Sequence, residues 1–341
     1  MSIFSNKTVM VTGASGLIGS NLVVKLLQDN STRVIAIGRD QNKLVKVFEQ
    51  YVSNRNLCLL EHDISCPLKI CESINYIFHA AGPIAGNLIK KKPVSVVLPN
   101  ILGTLNMINF MSQQRVKNRT NAKLIIFSSA TVYGTKSSED ILVGEEDTSI
   151  ADTLDAINAP YSESKRMVEV IGKSYAKQEK LDISIVRFSY VYGFSKSLPD
   201  TAFYEFVKKA LAGEDILINN ARLPRRDNIY IDDAIEGLLV VAAKGGKGES
   251  YNISANCEGG NFAAVDEMAS VIADVVNKKL GTSVKVLYKE GDSTNKRMPG
   301  VMLKNSKLQS LGWKVNINLK TGIEKTIKMI YDNQIEPISV T

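Results

Sequence analysis

The feature that most limits what this chain can become is a glycine turn set between a strand-like run and a helical pattern. Thr8–Val11 has the continuous apolar character of a buried strand. Thr12-Gly13-Ala14-Ser15-Gly16-Leu17-Ile18-Gly19 follows at once, and Leu17–Gln28 has the apolar spacing of a helix. In that setting Gly13 permits a tight turn, Gly16 lets a pyrophosphate approach the backbone, and Gly19 lets the helix pack closely on the strand. The helix N-terminus then points free N–H groups at the phosphates. A glycine turn without ligand is the competing reading. The strand–turn–helix context is what favours a bound dinucleotide.

The rest of the first half keeps that rhythm. Strand-like runs at Arg33–Ile37, Leu57–Leu60, Tyr76–His79, Leu124–Phe127 and Ile183–Arg187 alternate with helix-length segments such as Val96–Val116. Such alternation predicts an α/β fold, a Rossmann-type doubly wound parallel sheet. After about Gly193 helical stretches dominate: Ala202–Ala212, Asp232–Ala243, Val265–Lys279 and Thr321–Tyr331. Short strands at Asp215–Ile218, Tyr251–Ile253 and Val284–Tyr288 break them. We expect residues 1–190 to form the NAD(P)-binding part with the catalytic residues, and 191–341 mainly a smaller substrate-binding lobe. The boundary is soft, and the chain can cross back. Loops of the lobe would close over the carboxyl edge of the sheet, where ligands bind in such folds.

The end of the second strand bears on the choice of dinucleotide. An acidic residue there binds the ribose of NAD, whereas an arginine accommodates the 2′-phosphate of NADP. Gly38 occupies the acidic position and Arg39 follows, which leans toward NADP. Asp40 comes two residues late but stays within reach of a ribose, so NAD remains open. Arg39 and Asp40 can also be plain loop residues.

Tyr161-Ser162-Glu163-Ser164-Lys165 opens a predicted helix running to about Ala176, with Pro160 at its start. Positions four apart share a helix face, so Tyr161 and Lys165 can look into one cleft. A free phenol has a pKa near 10 and is a poor base at neutral pH. An ammonium about 4 Å away contributes roughly 4 kcal/mol at an effective dielectric near 20. That corresponds to about three pKa units, and a bound oxidised nicotinamide adds further positive charge. Tyr161 could then remove a hydroxyl proton as hydride leaves the same carbon. Tyr-x-x-x-Lys alone is common on surface helices. Its company here is Phe127-Ser128-Ser129-Ala130-Thr131-Val132-Tyr133-Gly134, whose serines end a strand at the ligand edge. Ser129 there can hydrogen-bond the reacting oxygen beside Tyr161.

Composition removes other classes. The chain has 341 residues, 44% hydrophobic and 23% charged, an ordinary globular mix. The net charge of +7 is scattered apart from Lys90-Lys91-Lys92. No basic stripe or stacking-aromatic motif points to nucleic acid, and a mildly basic surface suits a diphosphate-bearing small molecule. Cys58, His62, Cys66 and Cys71 stand four, four and five residues apart, which fits no zinc pattern, and Cys257 is remote; no metal is expected. Met1–Lys7 is short and polar, and the most apolar stretch, Gly237–Ala243, is too short to span a bilayer. A cytoplasmic protein without membrane contact is the expectation.

The G-x-x-G-x-x-G spacing resembles the short-chain dehydrogenase/reductases. Further motifs resemble their extended branch, the NAD-dependent epimerase/dehydratase family, over nearly the whole chain. They include His79-Ala80-Ala81-Gly82, Asn100-Ile101-Leu102-Gly103-Thr104, Arg187-Phe188-Ser189-Tyr190-Val191-Tyr192-Gly193, Arg225-Arg226-Asp227-Asn228-Ile229-Tyr230-Ile231-Asp232-Asp233, Tyr251-Asn252-Ile253, Lys296-Arg297-Met298-Pro299 and Leu311-Gly312-Trp313. The resemblance implies enzymes of nucleotide-diphosphate sugars, with Ser129, Tyr161 and Lys165 catalytic. It implies that Gly13, Ser15, Gly16, Leu17, Ile18, Gly19, Arg39, Asp63, Ile64, Ala80, Ala81, Gly82, Asn100, Tyr161 and Lys165 contact the dinucleotide. Ser129, Thr131, Tyr190, Arg226 and Arg297 would contact the substrate, the two arginines at its diphosphate. A homodimer through helices beside the catalytic one is implied as well. Related 4,6-dehydratases carry an Asp-Glu pair at Ala130-Thr131, and decarboxylases a Glu at Thr131. Tyr190 departs from an asparagine found in many members. The reading that results is a 4-epimerase, with a net oxidoreductase as the alternative and a sugar-nucleotide dehydratase or decarboxylase, or a non-catalytic dinucleotide-binding protein, behind both.

Overall fold

The structure is a computed structural model that describes residues 2–83, 87–134, 139–147, 153–219, 224–289 and 297–333. The chain runs β1 (Thr8–Thr12), α1 (Leu17–Leu27), β2 (Arg33–Gly38), α2 (Gln41–Val47), β3 (Leu57–Glu61), β4 (Tyr76–His79), α3 (Asn87–Lys91), α4 (Val94–Asn118) and β5 (Lys123–Ser129). It continues through β6 (Ile141–Val143), α5 (Ala159–Gln178), β7 (Asp182–Phe188), β8 (Tyr190–Tyr192), α6 (Ala202–Leu211), β9 (Ile216–Ile218), β10 (Arg226–Tyr230) and α7 (Ile231–Lys244). It closes with β11 (Ser250–Ile253), β12 (Phe262–Ala263), α8 (Val265–Leu280), β13 (Val286–Tyr288), β14 (Val301–Leu303), α9 (Ser306–Gln309) and α10 (Leu319–Asp332).

Seven strands form one sheet in the order β11-β7-β5-β4-β1-β2-β3, and each pairing in it is parallel. Parallel strands are covered on both faces, which is why these runs are apolar throughout rather than alternating. Val9 and Val11 face a core shared with Leu22 and Leu26 of α1 and Leu238 and Val241 of α7. Met10 faces the other core, with Met107 and Met111 of α4 and Val168 of α5. The order reverses between β1 and β4, so their carboxyl ends, in register at Thr12 and His79, open a crevice. This is the expected Rossmann-type doubly wound sheet.

The late strand β11 returns to the edge of that sheet, against β7. A smaller sheet, β12-β10-β14-β6 with β8 beside β10, is built mostly from the second half and takes β6 from the first. The nine strand-like runs named from sequence are all strands, shifted by at most two residues at an end. β6, β8, β12 and β14, of two or three residues each, carry too little pattern to be read, and β10 begins with Arg226-Asp227-Asn228.

Among the described residues one helix, Val94–Lys117 within α4, is long and apolar enough to cross a membrane by length and composition, with a mean hydropathy of 1.4 in its most apolar window. It lies along α5, and its buried Asn100, Thr104 and Gln114 hydrogen-bond inside the protein.

Gly13 holds φ at +65°, and a Cβ there would sit 2.8 Å from the Ala81 nitrogen. The turns after β1 and β4 are therefore in backbone contact. Gly13→Ala should lower unfolding stability by about 1–3 kcal/mol, read as a drop in the urea midpoint at unchanged slope. An unchanged midpoint would contradict this close approach.

Candidate active site

The dinucleotide end of the crevice is assembled by the two turns. The Thr12 hydroxyl accepts from the Ala81 N–H at 3.1 Å and lies 2.9 Å from His79 Nδ1. Burial, and then the Lys165 charge, push His79 down to about 3, so it is neutral. Gly19 would place a Cβ 2.3 Å from the Gly13 carbonyl oxygen, so its bare Cα lets α1 start directly against the turn. Gly16 is exposed and meets only that oxygen, at 3.3 Å. No side chain caps α1 and its first turn carries no acid, which leaves the N–H groups at Leu17 and Ile18 available to an anion.

Farther along, Ile64 is buried and its Cδ1 fills the notch left by Gly103 of α4. Asp63 is exposed and receives the Ser65 N–H at 2.8 Å. Gly82 faces Asn100: a Cβ on Gly82 would lie 2.4 Å from Asn100 Oδ1. That oxygen is buried without a hydrogen-bond partner among the described residues. Bare glycines, open helix amides and an orphaned acceptor together fit a polar, phosphate-bearing dinucleotide.

Next come the residues at the end of the second strand. Asp40 caps α2, accepting the Lys43 N–H at 2.9 Å, so its carboxylate is engaged within the loop. A side chain at Gly38 would meet Leu44 at 3.0 Å, and Leu44 is fully buried. Arg39 is exposed at the same edge.

The catalytic residues come together on α5 and the end of β5. Pro160 sits in the first turn of α5, where a missing N–H costs nothing. Tyr161, half-buried, lies beside the Ser129 side chain. Ser129 Oγ also takes the Thr131 N–H at 3.3 Å. One turn on, Lys165 is buried and its Nζ donates to the Phe127 carbonyl at 2.8 Å. Ser164 donates to the Tyr161 carbonyl at 2.9 Å and accepts from Asn100 Nδ2 at 3.0 Å, tying α4 to the catalytic helix.

The expected electrostatics of the pair are corrected here. Burial raises the Tyr161 phenol above its ordinary value, opposed by the Ser129 hydrogen bond. The Lys165 ammonium is turned toward Phe127 and lies 5.8 Å from the centre of the Tyr161 ring. Burial pulls Lys165 down to about 8, with Glu169 opposing.

On the substrate side, Thr131 Oγ1 and Ser189 Oγ are buried without hydrogen-bond partners among the described residues. Tyr190 is hydrogen-bonded to Thr201 Oγ1 at 3.0 Å, and the Arg226 guanidinium lies 5.8 Å from its ring centre. Arg297 forms a two-pronged ion pair with Asp266, at 2.7 and 2.8 Å. The adjacent Arg225 pairs with Glu267.

The NAD dependent epimerase/dehydratase family matches residues 9–254. The chain belongs to that family. A UDP-glucuronic acid decarboxylase from Arabidopsis thaliana is 27% identical over 322 residues, covering 94% of this chain and 87% of its own length. A dTDP-D-glucose 4,6-dehydratase from Bos taurus is 28% identical over 335 residues, covering 96% and 89%. Among solved structures, UDP-glucuronic acid 4-epimerase from Bacillus cereus in complex with NAD superposes with a TM-score of 0.75 at 25% identity, over 96% of this chain and 99% of that one.

Within this epimerase/dehydratase chain, sequence reasoning had not singled out Thr12, Ser164, Glu169, Ser189 or Asp266. Glu169 had a signal, since it continues the four-residue spacing from Tyr161 and Lys165. Asp266 had none, lying 31 residues from the arginine it pairs.

Gly16→Ala should lower dinucleotide affinity by about tenfold or more while moving stability by under about 1 kcal/mol, because its Cβ points at the phosphate path rather than into the fold. Equilibrium dialysis beside urea unfolding separates the two. Unchanged affinity would remove the turn from the binding site.

Proposed function

We propose that this protein is a 4-epimerase of a nucleotide-diphosphate sugar that works through transient oxidation at sugar carbon 4. The observation that carries this reading is Tyr161 set beside Ser129 with the buried Lys165 one turn behind, at a strand end whose next two residues, Ala130 and Thr131, hold no acid or base. Relatives named as decarboxylases and dehydratases support a nucleotide-sugar substrate. Elimination of water, however, needs an acid and a base that alanine and threonine lack.

When bound, the dinucleotide supplies the acceptor and returning donor of hydride and a positive charge beside Tyr161. Ser129 holds the carbon 4 oxygen by a hydrogen bond. Tyr161 takes the hydroxyl proton as that carbon becomes a ketone, and returns it after the sugar has turned over. Lys165 provides fixed positive charge behind the phenol. Arg226, seated over Tyr190, and Arg297, braced by Asp266, would take the diphosphate oxygens. Thr131 and Ser189 would give their orphaned hydroxyls to the sugar.

The test incubates the purified protein with UDP-, GDP-, CDP- and dTDP-sugars without added cofactor. Turnover to an isomer supports the proposal, with Tyr161→Phe slower by about 10²–10⁴-fold. Turnover that begins only with added NAD(P)(H), consumed mole for mole, supports a net 4-ketosugar reductase or carbon 4 dehydrogenase instead. That second reading is favoured by one observation: Arg39 is exposed where Asp40 is engaged and position 38 is closed by Leu44. These features suit NADP, and Arg39→Ala should weaken NADP about tenfold while sparing NAD. Equal effects on both would favour NAD.

A homodimer is part of the same proposal. Leu98 and Leu102 of α4 and Met167 and Val170 of α5 are exposed on two adjacent helices, and a second copy would cover them. Val170→Glu should halve the mass seen by sedimentation; an unchanged mass would place any contact elsewhere.

A further inference from the structure

Three side chains on one stripe of α5 grip three consecutive residues at the end of β5. Tyr161 faces the Ser129 side chain, Lys165 donates to the Phe127 carbonyl at 2.8 Å, and Glu169 accepts the Ser128 hydroxyl at 2.5 Å. The spacing of four residues keeps all three on one helix face. The third rung is itself pinned. Arg187 of β7, in register with Ser128, donates to both Glu169 oxygens: Nε at 3.0 and 3.2 Å, and a terminal nitrogen at 2.7 Å. Both residues are buried, Glu169 at 5% exposure and Arg187 at 9%. Arg187 also donates to the Tyr133 hydroxyl at 2.7 Å, which donates to Asn252 Oδ1 at 2.8 Å; the Asn252 N–H donates to the Glu145 carboxylate at 2.7 Å.

We propose that Glu169 and Arg187 are positioning residues that lock the register of the Tyr161/Lys165 stripe against β5 and set the charge around the Lys165 ammonium. The inference rests on Tyr161 and Lys165 being the reacting pair. A buried ion pair is a costly way to fasten a helix, and an apolar pair often does as well. The placement one turn beyond Lys165 gives this pair a second task. Glu169 favours the charged ammonium, while Arg187, bound to that carboxylate, carries a charge of the same sign as the ammonium. Few other charged or titratable groups face this site. On α5 there is Tyr161, with its phenol raised; from β4 there is His79, held neutral; from α4 there is Asn100, uncharged. Tyr133, pushed up to about 12, stays neutral behind Arg187. Glu145 reaches Arg187 only through its carbonyl, at 3.4 Å.

The test is the titration of the Lys165 side-chain nitrogen by 15N NMR in the full-length protein without substrate, assigned by its loss in Lys165→Arg. Glu169→Gln removes the favourable charge and leaves Arg187 opposing, so the midpoint should fall by about one pH unit. Arg187→Met should raise it. The double variant Glu169→Gln/Arg187→Met carries neither charge and should fall between wild type and Glu169→Gln. If Arg187→Met does not fold, the order wild type, double variant, Glu169→Gln carries the test, since the double variant buries no unpaired charge. Midpoints that coincide, or single variants that move the same way, would overturn the proposal and leave a purely structural pair. Because no sugar is present, the result is independent of whether the reaction is an epimerisation.

Discussion

The active site depends on the buried ammonium of Lys165. A charge removed from water must be met by hydrogen bonds or counter-charge, or it is lost. The Phe127 carbonyl provides the bond and Glu169 the counter-charge. Because Phe127 lies on the central strand β5, satisfying the lysine also fixes α5 against the sheet. Tyr161, one turn earlier, is thereby delivered to Ser129. Burial, with the same lysine adding to it, depresses the His79 imidazole, so the charge at Lys165 is felt at the neighbouring turn as well.

That edge meets the dinucleotide turn because the sheet reverses order between β1 and β4. Backbone contact of the turn at Gly13 with that at Ala81, bridged by the Thr12 hydroxyl, makes the crevice floor rigid. Toward this edge lie Asn100 Oδ1, Thr131 Oγ1 and Ser189 Oγ, three of the eight buried side-chain atoms without a hydrogen-bond partner among the described residues. Buried polar atoms are ordinarily paired, so these three are acceptors and donors that a polar ligand could complete.

Much of this was legible in the sequence because it is local. The glycine turn, the apolar runs of strands buried on both faces, and the pairing of Tyr161 with Lys165 each occupy a few consecutive residues. What was missed depends on partners far along the chain. Asp266 bracing Arg297 and Arg187 bracing Glu169 are products of the fold, invisible to spacing. A shared helix face likewise says nothing of the carbonyl toward which a lysine turns, here that of Phe127. Asp40 is the opposite case, since an aspartate just before a helical run is a recognised cap and could have been read as engaged.

The central claim is that carbon 4 of a nucleotide sugar gives up and regains its hydride within one active site. A nucleotide sugar deuterated at carbon 4, incubated with the unlabelled protein and analysed by mass spectrometry, tests it directly. The account predicts that the isomeric product keeps the deuterium at carbon 4 while the solvent and the free dinucleotide pool remain unlabelled. Deuterium recovered instead in free nicotinamide dinucleotide would contradict it and make the reaction a net oxidation.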